Sequence, residues 1–158
     1  QIKYFKNKKC KILYSKFFIK NLTDQKTYLN YKNNLPFGNI TKALLSNYKI
    51  GILTCMIEKN IFKKHKFNSN YQIIGDFDFF LNLSLKYYIF SLNKPLACYK
   101  HHSKNLSSSR LDLYLTELYR WLKINKNKYS KFNLISVRIL IVKIALKLIL
   151  KKIKGCFF

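Results

Sequence analysis

The chain has 158 residues, 49% of them hydrophobic and 16% aromatic, which is enough apolar surface for one packed core and excludes wholesale disorder. Lys and Arg number 31 against 6 Asp and Glu, a net charge of +25 that attracts polyanions such as nucleic acid, anionic lipid or nucleotide phosphate. Cys10, Cys55, Cys98 and Cys156 are scattered and form no CxxC pair, which excludes a zinc-finger site and a disulfide framework and leaves reduced, mostly buried thiols of a cytoplasmic protein as the expectation.

Lys, Asn, Ile, Phe and Tyr are all abundant, as A/T-rich coding produces, and the lysines are dispersed, so much of the charge fits ordinary solvated surface. The first residue is Gln1, not Met, and "QIKYFKNKKC" has no apolar run of the signal-peptide kind, so a piece of a longer chain is expected. "CKILYSKFFI" (10–19) is short, apolar and aromatic and reads as a strand. The polar, Asn-rich stretch 20–39 reads as a loop or ragged hairpin closed by Pro36 and Gly38. Residues 40–48 place Ile40, Leu44, Leu45 and Tyr48 on one helical face, with Asn39 as the expected N-cap. "IGILTCMIEK" (50–59) reads as a buried strand.

Residues 60–71 are polar, with Asn60 placed to cap a single turn. From Asp76 to about Lys86, Phe77, Phe80, Leu81 and Leu85 share a helical face, so a helix begins at Asp76. The free N–H groups and the positive dipole end there favour its carboxylate. Strands are expected at 87–93 and 96–102, separated by Pro95, followed by a loop at 103–109. Residues 108–127 form an amphipathic helix with Leu111, Tyr114, Leu115, Leu118, Trp121 and Leu122 on one side. In 132–158, Lys143, Lys147, Lys151 and Lys154 make a basic stripe on a largely Ile, Leu and Val background. The cations are too frequent for a spanning helix, and two readings stay open: a helix lying in an anionic membrane surface through 134–154, or one packed on the domain. No internal repeat is present, and the chain divides into 1–127 and a basic C-terminal helix at 128–158.

Two of the six acids, Asp76 and Asp78, stand one residue apart behind Ile73, Ile74 and Gly75. Such a pair serves as helix-start carboxylates, as oxygen ligands to a divalent metal, or as a general base that deprotonates a hydroxyl. His101 and His102 lie about twenty residues further on; adjacent positions on a strand face opposite ways, so one can act without the other.

The pair "IIGDFDFFLNLS" and "PLACYKHHSKNLS", at this spacing, resembles the C-terminal half of family 2 glycosyltransferases of the GT-A fold, over about residues 10 to 125. The resemblance implies an α/β class: a partial GT-A fold, with a short mixed sheet, flanking helices and a C-terminal amphipathic helix. It implies Asp76 as catalytic base, His102 and Asp78 at a metal–diphosphate site, and Lys100 and Gly51 near the donor and acceptor. Lys100 and Asn82 each stand where the family usually carries Arg. A divalent ion, Mg or Mn, a nucleotide-sugar donor and a glycan or lipid-linked acceptor follow from it, in cell-surface polysaccharide synthesis at the inner face of the cell membrane. The family's nucleotide-binding half comes first, and before residue 76 only Asp24 and Glu58 are acidic, so the expectation is an acceptor-side portion, inactive alone. The competing class is a basic protein without catalysis that binds nucleic acid or a membrane surface; no RNP, zinc-finger or helix-turn-helix pattern supports a specific nucleic-acid partner.

Overall fold

The computed structural model describes residues 1–156, with side chains as far as Ile153. The expected positions of the Lys154 side chain and the Cys156 thiol lie outside the described residues. The class is mixed α/β: a small open sheet of four strands with flanking helices.

Strand β1 (Ile12–Asn21) is the axis of the sheet. Its N-terminal half, Ile12 to Lys16, is buried, because apolar Ile12, Leu13 and Tyr14 leave no polar face for water. Strand β2 (Thr27–Leu29) returns as a hairpin on its C-terminal end, and β3 (Met56–Ile57) pairs with its N-terminal end, both antiparallel along one edge. Strand β4 (Phe90–His101) runs parallel to β1 along the other edge. Lys16 is 6% exposed, and its ammonium donates to the Lys32 carbonyl at 3.3 Å, so not every lysine belongs to the solvated surface.

Two strands expected on either side of Pro95 are one strand. The register runs from Ser15↔Leu92 to Lys16↔Pro95, so Asn93 and Lys94 bulge out immediately before the residue that has no N–H to give. Asn93 in that bulge accepts the Leu35 N–H at 2.7 Å and ties the long loop to the sheet. The strand expected at 50–59 is also different. Residues Ile52–Thr54 form a 3-10 turn, and only Met56 and Ile57 pair. The Thr54 hydroxyl sits between the Gly51 carbonyl, at 2.8 Å, and the Ser15 backbone, which closes a turn where apolar content alone reads as extended chain.

The helices are α1 (Ile2–Asn7), α2 (Thr41–Ser46), α3 (Lys59–Lys64), α4 (Gly75–Ser84), α5 (Leu106–Ser109), α6 (Leu111–Asn125) and α7 (Ile135–Cys156). Asn39 and Asn60 cap nothing: α2 follows Ile40, and α3 contains Asn60 and follows Glu58. Helix α4 is buried on almost every side, including Phe77, Phe79, Phe80, Leu81 and Leu83, so it is the central helix of the core, not a one-faced surface helix. Trp121 of α6, fully buried, packs edge-on against Phe77 with ring centroids 5.0 Å apart. Val137 and Ile144 of α7 join the same core. No helix among the described residues is long and apolar enough to cross a membrane.

Candidate active site

Asp76 is the second residue of α4. Its Oδ1 accepts the Phe77 N–H at 2.7 Å, one of the donors that a helix start leaves free. The segment entering α4 is held from a distance. The buried Glu117 carboxylate, on α6, accepts the N–H groups of Gln72 at 2.7 Å, Ile73 at 2.9 Å and Ile74 at 3.1 Å. A loop whose amides point at one fixed carboxylate has little freedom left, so Asp76 is placed by the docking of α6 as much as by its own helix.

Beside Asp76 a pocket of about 380 Å³ is lined by Ile52, Phe67, Tyr71, Gln72, Gly75 and Asp76 among others. A Cβ built on Gly75 would meet nothing within 4 Å, so the space next to the carboxylate is open. Behind it stand Tyr48, Cys55 and Tyr114. Burial pushes the Asp76 carboxyl above the usual carboxylate range, while the Phe77 N–H and the nearby Tyr48 hydroxyl pull the other way. Burial, reinforced by the Asp76 charge, also raises the proton affinities of Tyr48, Cys55 and Tyr114, so all three stay neutral donors. The Tyr48 hydroxyl is buried without a well-formed hydrogen bond among the described residues, although it lies near enough to Asp76 for each to shift the other. Tyr48→Phe is therefore expected to leave stability unchanged or raise it by about 1 kcal/mol. A clear drop in the urea midpoint would show that the hydroxyl holds a native hydrogen bond.

The sign of the Asp76 shift sets a pH dependence. Folded Asp76 holds its proton more tightly than the unfolded carboxyl, whose value is about 3.9. The native state binds the extra proton between that value and the raised one, so its stability falls as pH rises through this window. Asp76→Asn cannot titrate, so its stability relative to the natural chain is expected to grow across the window and level off above it. Parallel urea melts at several pH values measure this, and a difference that is flat or shrinks with pH would contradict the assignment.

Asp78 takes another course. It lies two residues on, about 200° around the helix, and is 6% exposed in the core. Its Oδ1 accepts the Trp121 indole N–H at 2.9 Å. Asp76 lines the 380 Å³ pocket and Asp78 does not. His102 follows the end of β4, and its backbone N–H and C=O bond to Asn105, closing a tight turn. His101, not His102, approaches the Ser108 hydroxyl, at 3.5 Å. Asp78 is thus turned to Trp121 in the core while His102 stands at the turn after β4, and among the described residues no three His, Cys, Asp or Glu side chains gather as a metal site. Lys100 is exposed on β4, in register with Lys20 of β1, and no described contact joins it to Asp76. Gly51 has a packing role: a Cβ there would lie 2.4 Å from the Phe17 ring. At Asn82, Lys128 donates to the side-chain carbonyl oxygen.

From the sequence Tyr48 and Tyr114 are only apolar-face positions of their helices, and Glu117 and Asn105 have no site role. Glu117 carried a usable signal, since it lies three residues after Tyr114 and four before Trp121. A carboxylate on the apolar side of an amphipathic helix must find donors inside.

The fold and this carboxylate pocket define the class only as a mixed α/β protein with a partly buried acid at a helix start facing a pocket. No family model, no curated protein and no solved structure matches the chain.

Proposed function

We propose that the chain is the acceptor-side portion of an inverting glycosyltransferase of the family 2, GT-A kind, with its nucleotide-binding half supplied elsewhere in the protein. The observation that carries this reading is Asp76: a carboxylate at the start of α4, facing a pocket, with its proton affinity raised by burial and ringed by neutral donors. A base tuned upward from the ordinary carboxylate range is what hydroxyl deprotonation calls for. On this reading the acceptor hydroxyl gives its proton to Asp76 as its oxygen attacks the anomeric carbon. The bond to the nucleotide diphosphate breaks, and its electron pair leaves with the phosphate oxygen. Gly75 leaves room for the acceptor beside Asp76, and Tyr71 and Gln72 line the same pocket. Lys100 stands exposed at the end of β4 as a cation for the donor phosphates. A divalent ion, where one is used, enters with the nucleotide-binding half.

The chain alone, incubated with nucleotide sugars and candidate glycan or lipid-linked acceptors, is expected to transfer nothing. The protein extended by its upstream coding sequence is expected to turn over. Transfer by residues 1–158 alone would overturn the two-half reading, and an extended protein that binds no nucleotide sugar would overturn the transferase reading.

A further inference from the structure

Helix α7 has two apolar faces, and the core uses one. Val137 and Ile144 are buried, and Leu140 and Ile141 pack partly beside them. On the opposite side Ile135, Ile139, Val142, Leu146, Ile149 and Ile153 recur at alternating spacings of four and three, each between 48% and 56% exposed. At 100° per residue these six fall on one stripe along the helix. Lys143 and Lys147 project to one side of it and Arg138 and Lys152 to the other, all exposed. An apolar stripe bordered by cations on both sides is the pattern of a helix lying in a lipid interface, where the aliphatic stems sink and the ammonium groups reach outward.

We infer that α7 is a membrane-docking helix and that the occupant of its outer face is an anionic lipid surface. Charge chooses this occupant over a second copy of the chain. A self-paired stripe would bring Lys143, Lys147, Arg138 and Lys152 against their own kind, and like charges flanking such a seam oppose association. The chain has few acids to offer in exchange: of six, Asp78 and Glu117 are buried as internal acceptors, Asp76 sits in its pocket, and Asp112 is already paired with Arg110 at 3.3 Å. An anionic headgroup plane meets both rows of cations at once. The inference stands apart from the transfer chemistry. It also fixes an orientation, because Ile139 and Lys143 line a cleft of about 480 Å³ whose walls include Tyr48 and Tyr114.

Deleting α7 is a poor test, because Val137 and Ile144 belong to the core. The paired substitution Val142→Asp with Leu146→Asp alters only exposed positions. The natural chain is expected to float with vesicles of phosphatidylcholine containing about 30% phosphatidylglycerol and to release as salt rises. The double variant is expected to keep its melting curve and lose at least about tenfold in vesicle partition. Lys143→Glu with Lys147→Glu is expected to lose a similar factor on anionic vesicles only. Equal flotation of natural chain and variants, or equal binding to vesicles of pure phosphatidylcholine, would overturn the inference. So would a vesicle-free dimer, seen by sedimentation, that Val142→Asp with Leu146→Asp dissolves, since the stripe would then belong to a second copy.

Discussion

On the proposed transferase reading, Asp76→Asn, introduced into the protein extended by its upstream coding sequence, is expected to lower sugar transfer by about 10²–10⁴-fold, the usual worth of a positioned general base. The fold is expected to survive intact. The Asn Oδ1 can still accept the Phe77 N–H, and the change removes a carboxylate whose charge burial already disfavours. At neutral pH the variant should melt at the same temperature or higher. The loss should lie in kcat and kcat/KM together, with nucleotide-sugar affinity unchanged, because the base acts on the acceptor proton in the transition state. In the natural protein kcat/KM should fall as pH drops through the raised carboxyl value; in the variant the residual rate should lose that limb. Turnover within threefold of the natural protein would remove Asp76 from the base role, and a collapsed melting curve would recast it as a structural acid.

Glu117→Ala is expected to be the most destabilising single change near the site. It would leave the N–H groups of Gln72, Ile73 and Ile74 without the carboxylate that receives them all. Hydrogen bonds to a charged group are each worth about 1.5–3 kcal/mol, and they are not additive when they share an acceptor. A loss of about 3–5 kcal/mol follows, a large share of the 5–15 kcal/mol typical of a domain. For a chain of this size that lowers the melting temperature by about 10 °C or more. Glu117→Gln separates the charge from the geometry. Its single carbonyl oxygen can serve either Gln72 or the Ile73–Ile74 pair, while its NH2 faces donors on the other side, so about half the loss is expected. Amide exchange at residues 72–74 should quicken in both variants before global unfolding does. A denaturation midpoint for Glu117→Ala within about 1 kcal/mol of the natural chain would refute the clamp.

What could be read before folding was what repeats locally. The apolar side of α6 follows from helical spacing, and Leu118 and Trp121 are buried where that spacing puts them. The start of α4 at Asp76 was readable within a residue, because Gly75 and the acidic pair punctuate an apolar run. Pro95 misled because a missing N–H ends a strand in the interior of a sheet but is tolerated at a bulge on a strand paired along one edge. Residues 50–59 misled because an apolar run does not distinguish a buried strand from a buried turn, and the Thr54 hydroxyl decided for the turn. The surroundings of Asp76 were beyond reach for another reason. Tyr48, Cys55, Tyr114 and Glu117 arrive from four separate segments, and no periodicity records which distant segments meet.

The parallel pairing of β1 with β4 also governs when this protein can fold during synthesis. Leu13 waits for Phe90, 77 residues later, and Asn21 waits for His101. Closing so long a loop is entropically uphill until the final contacts form, so the ribosome must release residues as far as His101 before β1 has its full partner on that side. Until then the edge of β1 is a bare template of unpaired amides and carbonyls carrying Ile, Leu, Tyr and Phe. Nascent chains stalled before residue 101 are the ones that chaperones should hold longest and that should aggregate first when chaperones are withheld.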